Sequence, residues 1–134
     1  MKNIPARILF GIGLLITGAQ AIAGDVYVVC SAGVTVTAGD VKSMYLGEKQ
    51  FAAGVKLQLA DNASLQSTFL EKVLTMDSAK YTAVWTKKSF RDGANPPVMK
   101  NSDAEILDYI KHTPGACGYV SNAPPADAAV AAKF

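Results

Sequence analysis

Trp85-Thr86-Lys87-Lys88-Ser89-Phe90-Arg91-Asp92-Gly93-Ala94-Asn95-Pro96-Pro97, then Ser102-Asp103-Ala104-Glu105-Ile106-Leu107, then Pro114-Gly115-Ala116-Cys117-Gly118-Tyr119-Val120: this run decides the fold. Its first part reads as a helix end followed by a turn over Arg91 to Pro97, because two prolines in sequence cannot continue a helix. Ser102 and Glu105 have the spacing of a capping box, which opens a helix whose Ile106, Leu107 and Ile110 face inward. Pro114-Gly115 ends that helix, and Cys117 to Ser121 is β-rich and reads as a strand.

Working back towards the N-terminus, Asp77 or Ser78 starts a helix carrying Tyr81, Val84, Trp85 and Lys88 on neighbouring turns. Asn62 can cap the helix before it, with Leu65, Phe69 and Val73 at four-residue spacing and Leu70 and Leu74 beside them. Val55-Lys56-Leu57-Gln58-Leu59 alternates strictly, the mark of a half-buried strand. Glu48 to Gly54 is a loop. Asp40 can cap a short helix over Val41 to Leu46 that stops at Gly47. Asp25 to Cys30 is valine-rich and reads as a buried strand. The order is therefore βαβααβ, an α/β domain of two or three layers with helices packed on a short sheet. The expected core is Val28, Leu57, Leu59, Phe69, Val73, Trp85, Ile106, Ile110 and Val120, converging on one side of that sheet. Residues 123–134, rich in alanine and proline, are expected to fray or to end in a loose helical turn.

Residues 1–23 carry a targeting signal. Lys2 and Arg7 form a basic start, Ile8 to Ile16 an apolar stretch too short to span a bilayer, and Ala21-Ile22-Ala23 a small-x-small cleavage pattern. Cleavage there sends a domain of residues 24–122 and its tail to the periplasm or out of the cell, with no membrane insertion afterwards. Of 13 Lys and Arg the leader holds two, and of 11 Asp and Glu it holds none, so the remaining chain carries 11 of each and is formally neutral. That balance removes the electrostatic case for a nucleic-acid partner.

Two cysteines, Cys30 and Cys117, travel to an oxidising compartment on predicted strands. As a disulfide they would tie the first strand to the last and remove roughly 4–5 kcal/mol of unfolded-state entropy. As free thiols they would pack as small hydrophobes. Their spacing is not that of a redox-active pair. His112, the lone histidine, reads as a surface residue at a helix end, which leaves no metal site. No nucleophile–base pair, acid dyad or glycine-rich phosphate loop appears, and neither an enzyme nor a cofactor is expected.

The series Met44-Tyr45-Leu46-Gly47, the Trp85 helix, the double-proline turn, the Ser102-Asp103-Ala104-Glu105 helix and Gly115-Ala116-Cys117-Gly118-Tyr119-Val120 resembles, in that order, the periplasmic phosphate-binding-protein family, the solute receptors of ABC importers. The likeness covers Val26 to Ser121. It implies the fold of one lobe of a type II periplasmic binding protein, whereas full receptors bind solute in a cleft between two lobes. It also implies a small oxyanion such as phosphate as ligand, at the helix start Ala60-Asp61-Asn62-Ala63-Ser64-Leu65-Gln66-Ser67-Thr68. Asn62, Ser64, Ser67 and Thr68 are the candidate ligand residues there, through their amides and hydroxyls. Asp61 stands where the family has an arginine, and the family's glycines are missing. A plain helix cap with a solvated polar face is the competing reading of the same residues, and an envelope protein the competing partner. Trp85, Tyr81 and Tyr119 read as core. Lys87, Lys88 and Arg91 read as a solvated helix end.

Overall fold

Val26, Val28, Val29 and Cys30 are all buried, and two faces of apolar residues on one strand require cover on both sides. In the computed structural model, which describes residues 24–125 and 128–134, that cover is supplied by three layers. The expected leader, 1–23, lies outside the described residues. Strand β1 (Tyr27–Cys30) is followed by helix α1 (Ala38–Tyr45), a hairpin of β2 (Phe51–Ala52) and β3 (Val55–Lys56), and strand β4 (Gln58–Asn62). Helix α2 (Gln66–Phe69) runs into a π-helical turn, Leu70–Leu74, before α3 (Ser78–Asp92), β5 (Val98–Lys100), α4 (Asp103–His112), β6 (Ala116–Val120) and β7 (Ala129–Lys133).

The main sheet has five strands in the order β5-β4-β6-β1-β7. β4 is parallel to both β5 and β6, and β1 runs antiparallel to β6 and β7. Because side chains alternate along a strand, β6 sends Ala116 and Val120 to one face and Cys117 and Tyr119 to the other. The first face packs with Val29 and Ala60 against Ile106 and Ile110 of α4. The second packs with Val28 and Cys30 against Val41, Met44 and Tyr45 of α1, Phe69, Leu70, Leu74, and Tyr81 and Trp85 of α3. The core thus lies on both sides of the sheet, not on one as expected. Leu59 and Val73 are only partly buried, because the wider π turn brings Leu70 and Leu74 inward instead of Val73.

Glycines mark two close approaches. A Cβ on Gly118 would stand 2.8 Å from Ile106 Cγ2, so α4 can settle on β6 only where the strand has no side chain. Gly115 has φ +83° and no room for a Cβ against the Lys56 carbonyl.

Local expectations fail where a partner changes. The alternating run Val55 to Leu59 is not one strand: Val55–Lys56 closes a hairpin with Phe51–Ala52, and at Gln58 the chain switches to pair with Ala116. Ala53 and Gly54, both at positive φ, form its tight turn. Thr37, not Asp40, is the N-cap of α1, and Asp40 Oδ2 accepts from the Thr37 amide at 2.9 Å to complete a capping box. The Pro96-Pro97 turn delivers a short edge strand, β5, with no alternating signal of its own.

The largest correction is at the C-terminal end. Ala129–Lys133 neither frays nor forms a helical turn but pairs with β1, Cys30 opposite Ala129 and Val28 opposite Ala132, with a bulge between Val28 and Val29. Phe134 and Val26 exchange backbone hydrogen bonds at 2.8 and 3.0 Å, and Lys72 Nζ donates to the Gly24 and Phe134 carbonyl oxygens. Alanine has little strand preference, but β1 offers an open ladder that a neighbouring segment can satisfy.

Cys30 and Cys117 are directly opposite in the β1–β6 ladder and form a disulfide, with sulfurs 2.06 Å apart and a sequence separation of 87. It ties β1 to the next-to-last strand, not the last. The double variant Cys30→Ala/Cys117→Ala is expected to lose about 2–5 kcal/mol of stability, mainly because its unfolded chain is freer. Urea denaturation of both proteins measures this, and a loss under about 1 kcal/mol would mean the bridge constrains little.

Candidate functional site

The carboxyl ends of the parallel strands β4, β5 and β6 meet at Asn62, Lys100 and Val120, the region where open α/β sheets most often bind ligands. Asn62, the last residue of β4, is fully buried and does not cap α2. Its Nδ2 donates to Asp103 Oδ1 at 2.8 Å and to the Tyr119 carbonyl at 3.0 Å. Its Oδ1 accepts from the Ser64 amide at 3.1 Å and the Ser64 hydroxyl at 2.6 Å. One carboxamide therefore joins β4, β6, α4 and the turn into α2, and its hydrogen-bonding capacity is spent.

Asp103 sits in the first turn of α4, where negative charge is favoured. Its Oδ2 accepts from the Ser121 amide at 3.0 Å, the Ser121 hydroxyl at 2.8 Å and Asn122 Nδ2 at 3.4 Å. Burial works to raise this carboxyl, but the bonds from Ser121, Asn62 and Asn122 together outweigh it and hold it below its ordinary value. Asp103 is the anion of the site, supplied by the chain itself. Ser102 caps α4 by accepting from the Glu105 amide, while Glu105 Oε1 reaches back to the Asn101 amide.

Of the four residues expected to hold a ligand, the structure brings Asn62 and Ser64 together and leaves Ser67 and Thr68 out on α2. Three nearby amides are taken: Ala63 donates to the Lys100 carbonyl, Ser64 to Asn62 Oδ1 and Leu65 to the Asn62 carbonyl.

Asp61 does not face this cluster. It is next to Asn62 on a strand, so it points to the opposite face, among the helices α1 to α3. There it is 3% exposed, and its two oxygens accept from Tyr119 Oη at 2.8 Å and Tyr81 Oη at 2.9 Å. Burial pushes its carboxyl above its ordinary value, against the lowering effect of hydrogen bonds from Tyr119, Tyr81 and Gln66. Burial also drives both phenols far upward, so they stay protonated and donate. Tyr119 stacks on Phe69 with centroids 3.9 Å apart, Tyr45 Oη donates to the Ala60 carbonyl at 2.8 Å, and Trp85 Nε1 donates to the Tyr45 carbonyl at 2.9 Å. These aromatics are core, as their spacing suggests, and they also position a buried acid, Asp61, that the family likeness would put beside an anion. The signal was present: Leu57, Leu59 and Asp61 continue one period-two face.

The other polar residues considered from sequence stand apart. His112 is exposed, with Nδ1 3.0 Å from the Asp108 carbonyl. Lys88 and Arg91 approach Asp92 at 3.9 and 3.8 Å on the outer end of α3. Among the described residues no three His, Cys, Asp or Glu are grouped to hold a metal.

Asn62→Ala strands the Tyr119 carbonyl and one oxygen of Asp103, and is expected to cost about 2–3 kcal/mol in urea denaturation. A cost below about 0.5 kcal/mol would mean the carboxamide holds nothing together. Asp61 gives a pH signature. Its folded form holds the proton more tightly than the unfolded chain, so its contribution is complete below the ordinary carboxylate value of 3.8 and falls as pH rises through the higher folded value. Wild type should therefore lose stability relative to Asp61→Asn as pH rises from about 4 towards 7. Asp40 and Asp103, shifted downward, act in both proteins and cancel in the difference. Parallel stability curves would show that Asp61 is not desolvated.

No protein-family model matches the chain and no curated protein matches it.

Proposed function

We propose that this protein is an exported binding and interaction module, a one-lobed relative of the phosphate-receptor fold that does not itself grip an oxyanion. The observation carrying this reading is the Asp103 carboxylate at the carboxyl ends of the strands, which accepts from Asn62, Ser121 and Asn122. These are the kinds of donor that would otherwise surround a phosphate, and a second anion brought there would meet a fixed negative charge whose donors are already engaged. The buried disulfide fits the periplasm or the cell exterior. No helix among the described residues is long and apolar enough to cross a membrane. An envelope protein is the partner that suits such a module, and exposed apolar side chains, Phe51, Phe90 and Met99, are available for it.

Calorimetric titration of the leader-free protein with phosphate at neutral pH is expected to give no binding tighter than about millimolar, a standard free energy near −4 kcal/mol. A thermal-shift screen with phosphate, sulfate and molybdate should likewise leave the melting temperature unchanged. Micromolar phosphate affinity would reverse the reading and restore Ser64, Ser67 and Thr68 as the anion's partners.

A further inference from the structure

Asp61 is a buried carboxyl with an aromatic surround, and it forms part of the floor of a groove. The groove, of about 630 Å³, runs between α3 and β5 and is lined by Gln66, Tyr81, Trp85, Phe90, Pro96 and Met99 among others. That volume suits a small molecule and is too small for a folded partner. Phe90 on the rim is 92% exposed and Met99 52% exposed. Among the described residues lining the groove Asp61 alone carries a formal charge; there is no Lys, Arg or His. Nor does any described Lys, Arg or His pair with it.

A buried acid costs free energy unless a cation or several donors compensate it. Tyr81 and Tyr119 supply one hydrogen bond to each oxygen. A carboxylate has about four acceptor positions; Gln66, which also lines the groove, is a third donor to the pair, and capacity for one more donor remains. A cation arriving along the groove would meet this oxygen pair beside two aromatic side chains, Trp85 and Tyr81, and would leave its apolar part against Phe90 and Met99.

We propose that the groove between α3 and β5 is a binding site for a small organic ammonium compound with an apolar body, its charged head at Asp61 and its body against Trp85, Phe90 and Met99. The site is on the opposite face of the sheet from Asn62 and Asp103. It stands or falls independently of whether phosphate binds there.

The test uses the leader-free protein at neutral pH and three probes that share one ring: phenethylammonium, 2-phenylethanol and phenylacetate. Trp85 is the only tryptophan, so its indole N–H is a single, assigned NMR signal in the groove wall. Phenethylammonium is expected to shift that signal saturably and to bind at least about tenfold tighter than the alcohol, the margin a partly desolvated ion pair gives. Phenylacetate should bind most weakly. Asp61→Asn should bring the ammonium down to the affinity of the alcohol.

Equal affinity for ammonium and alcohol would overturn the proposal and leave an apolar groove over a structural carboxyl. So would the absence of any saturable shift up to about 10 mM probe, or an Asp61→Asn protein that keeps the preference. If Asp61→Asn does not fold, Phe90→Ser, a change at an exposed side chain, takes its place. It should weaken ammonium and alcohol alike and keep their ratio, and unchanged affinities would place the ring elsewhere and refute the site.

Discussion

Strand β6 is buried along its whole length and on both faces, and that constraint organises the rest of the molecule. A strand in this position must have both ladders satisfied and both faces covered, since unpaired backbone groups and exposed apolar side chains there would each cost free energy. β4 and β1 satisfy the ladders, in parallel and antiparallel sense. Gly118 admits α4 on one face, and Tyr119 stacks on Phe69 on the other. The Cys30–Cys117 bridge adds a covalent restraint to a contact already made by hydrogen bonds and packing.

The same strand connects the two polar centres. The Tyr119 carbonyl accepts from Asn62 on the α4 side, while its hydroxyl donates to Asp61 on the side of the other helices. Adjacent residues of β4 therefore serve unrelated purposes. Asn62 ties strand ends to helix starts, and its neighbour is an acid held in an aromatic surround. One is saturated by the chain itself. The other keeps acceptor capacity and opens on a groove. Electrostatics distinguishes them further: donors outweigh burial at Asp103 and lower its carboxyl, whereas burial raises that of Asp61 against its own donors.

A site filled by its own carboxylate is stable at the expense of ligand affinity. Displacing Asp103 would strand Ser121, Asn62 and Asn122 and uncap the link between β6 and α4, so a competing anion would need to replace all of those bonds at once. Exposed apolar side chains lie elsewhere, among them Phe90 and Met99 beside the α3–β5 groove.

Much of the architecture is written locally. The periodicity of Leu65 to Leu74, the Ser102 cap, the valine-rich start and the Pro114-Gly115 stop determined the α/β class and the order of the main elements, because each depends on residues within one or two turns of itself. The two cysteines narrowed the bridge to a single possible pair. Tertiary structure alone decided which strands became neighbours. It made a strand of Ala129–Lys133 because β1 had a free edge, and it split Val55 to Leu59 because the chain changes partner there. It also decided what the polar residues do. Asn62 looks like a helix cap in one dimension, but the positions of Asp103 and Tyr119, 41 and 57 residues away, make it a buried cross-link. Asp61 carries the face of Leu57 and Leu59 in its sequence position, yet only the packing of Tyr81 and Tyr119 turns that acid inward to the floor of a groove, since hydrogen bonds over such distances along the chain leave no local pattern to read.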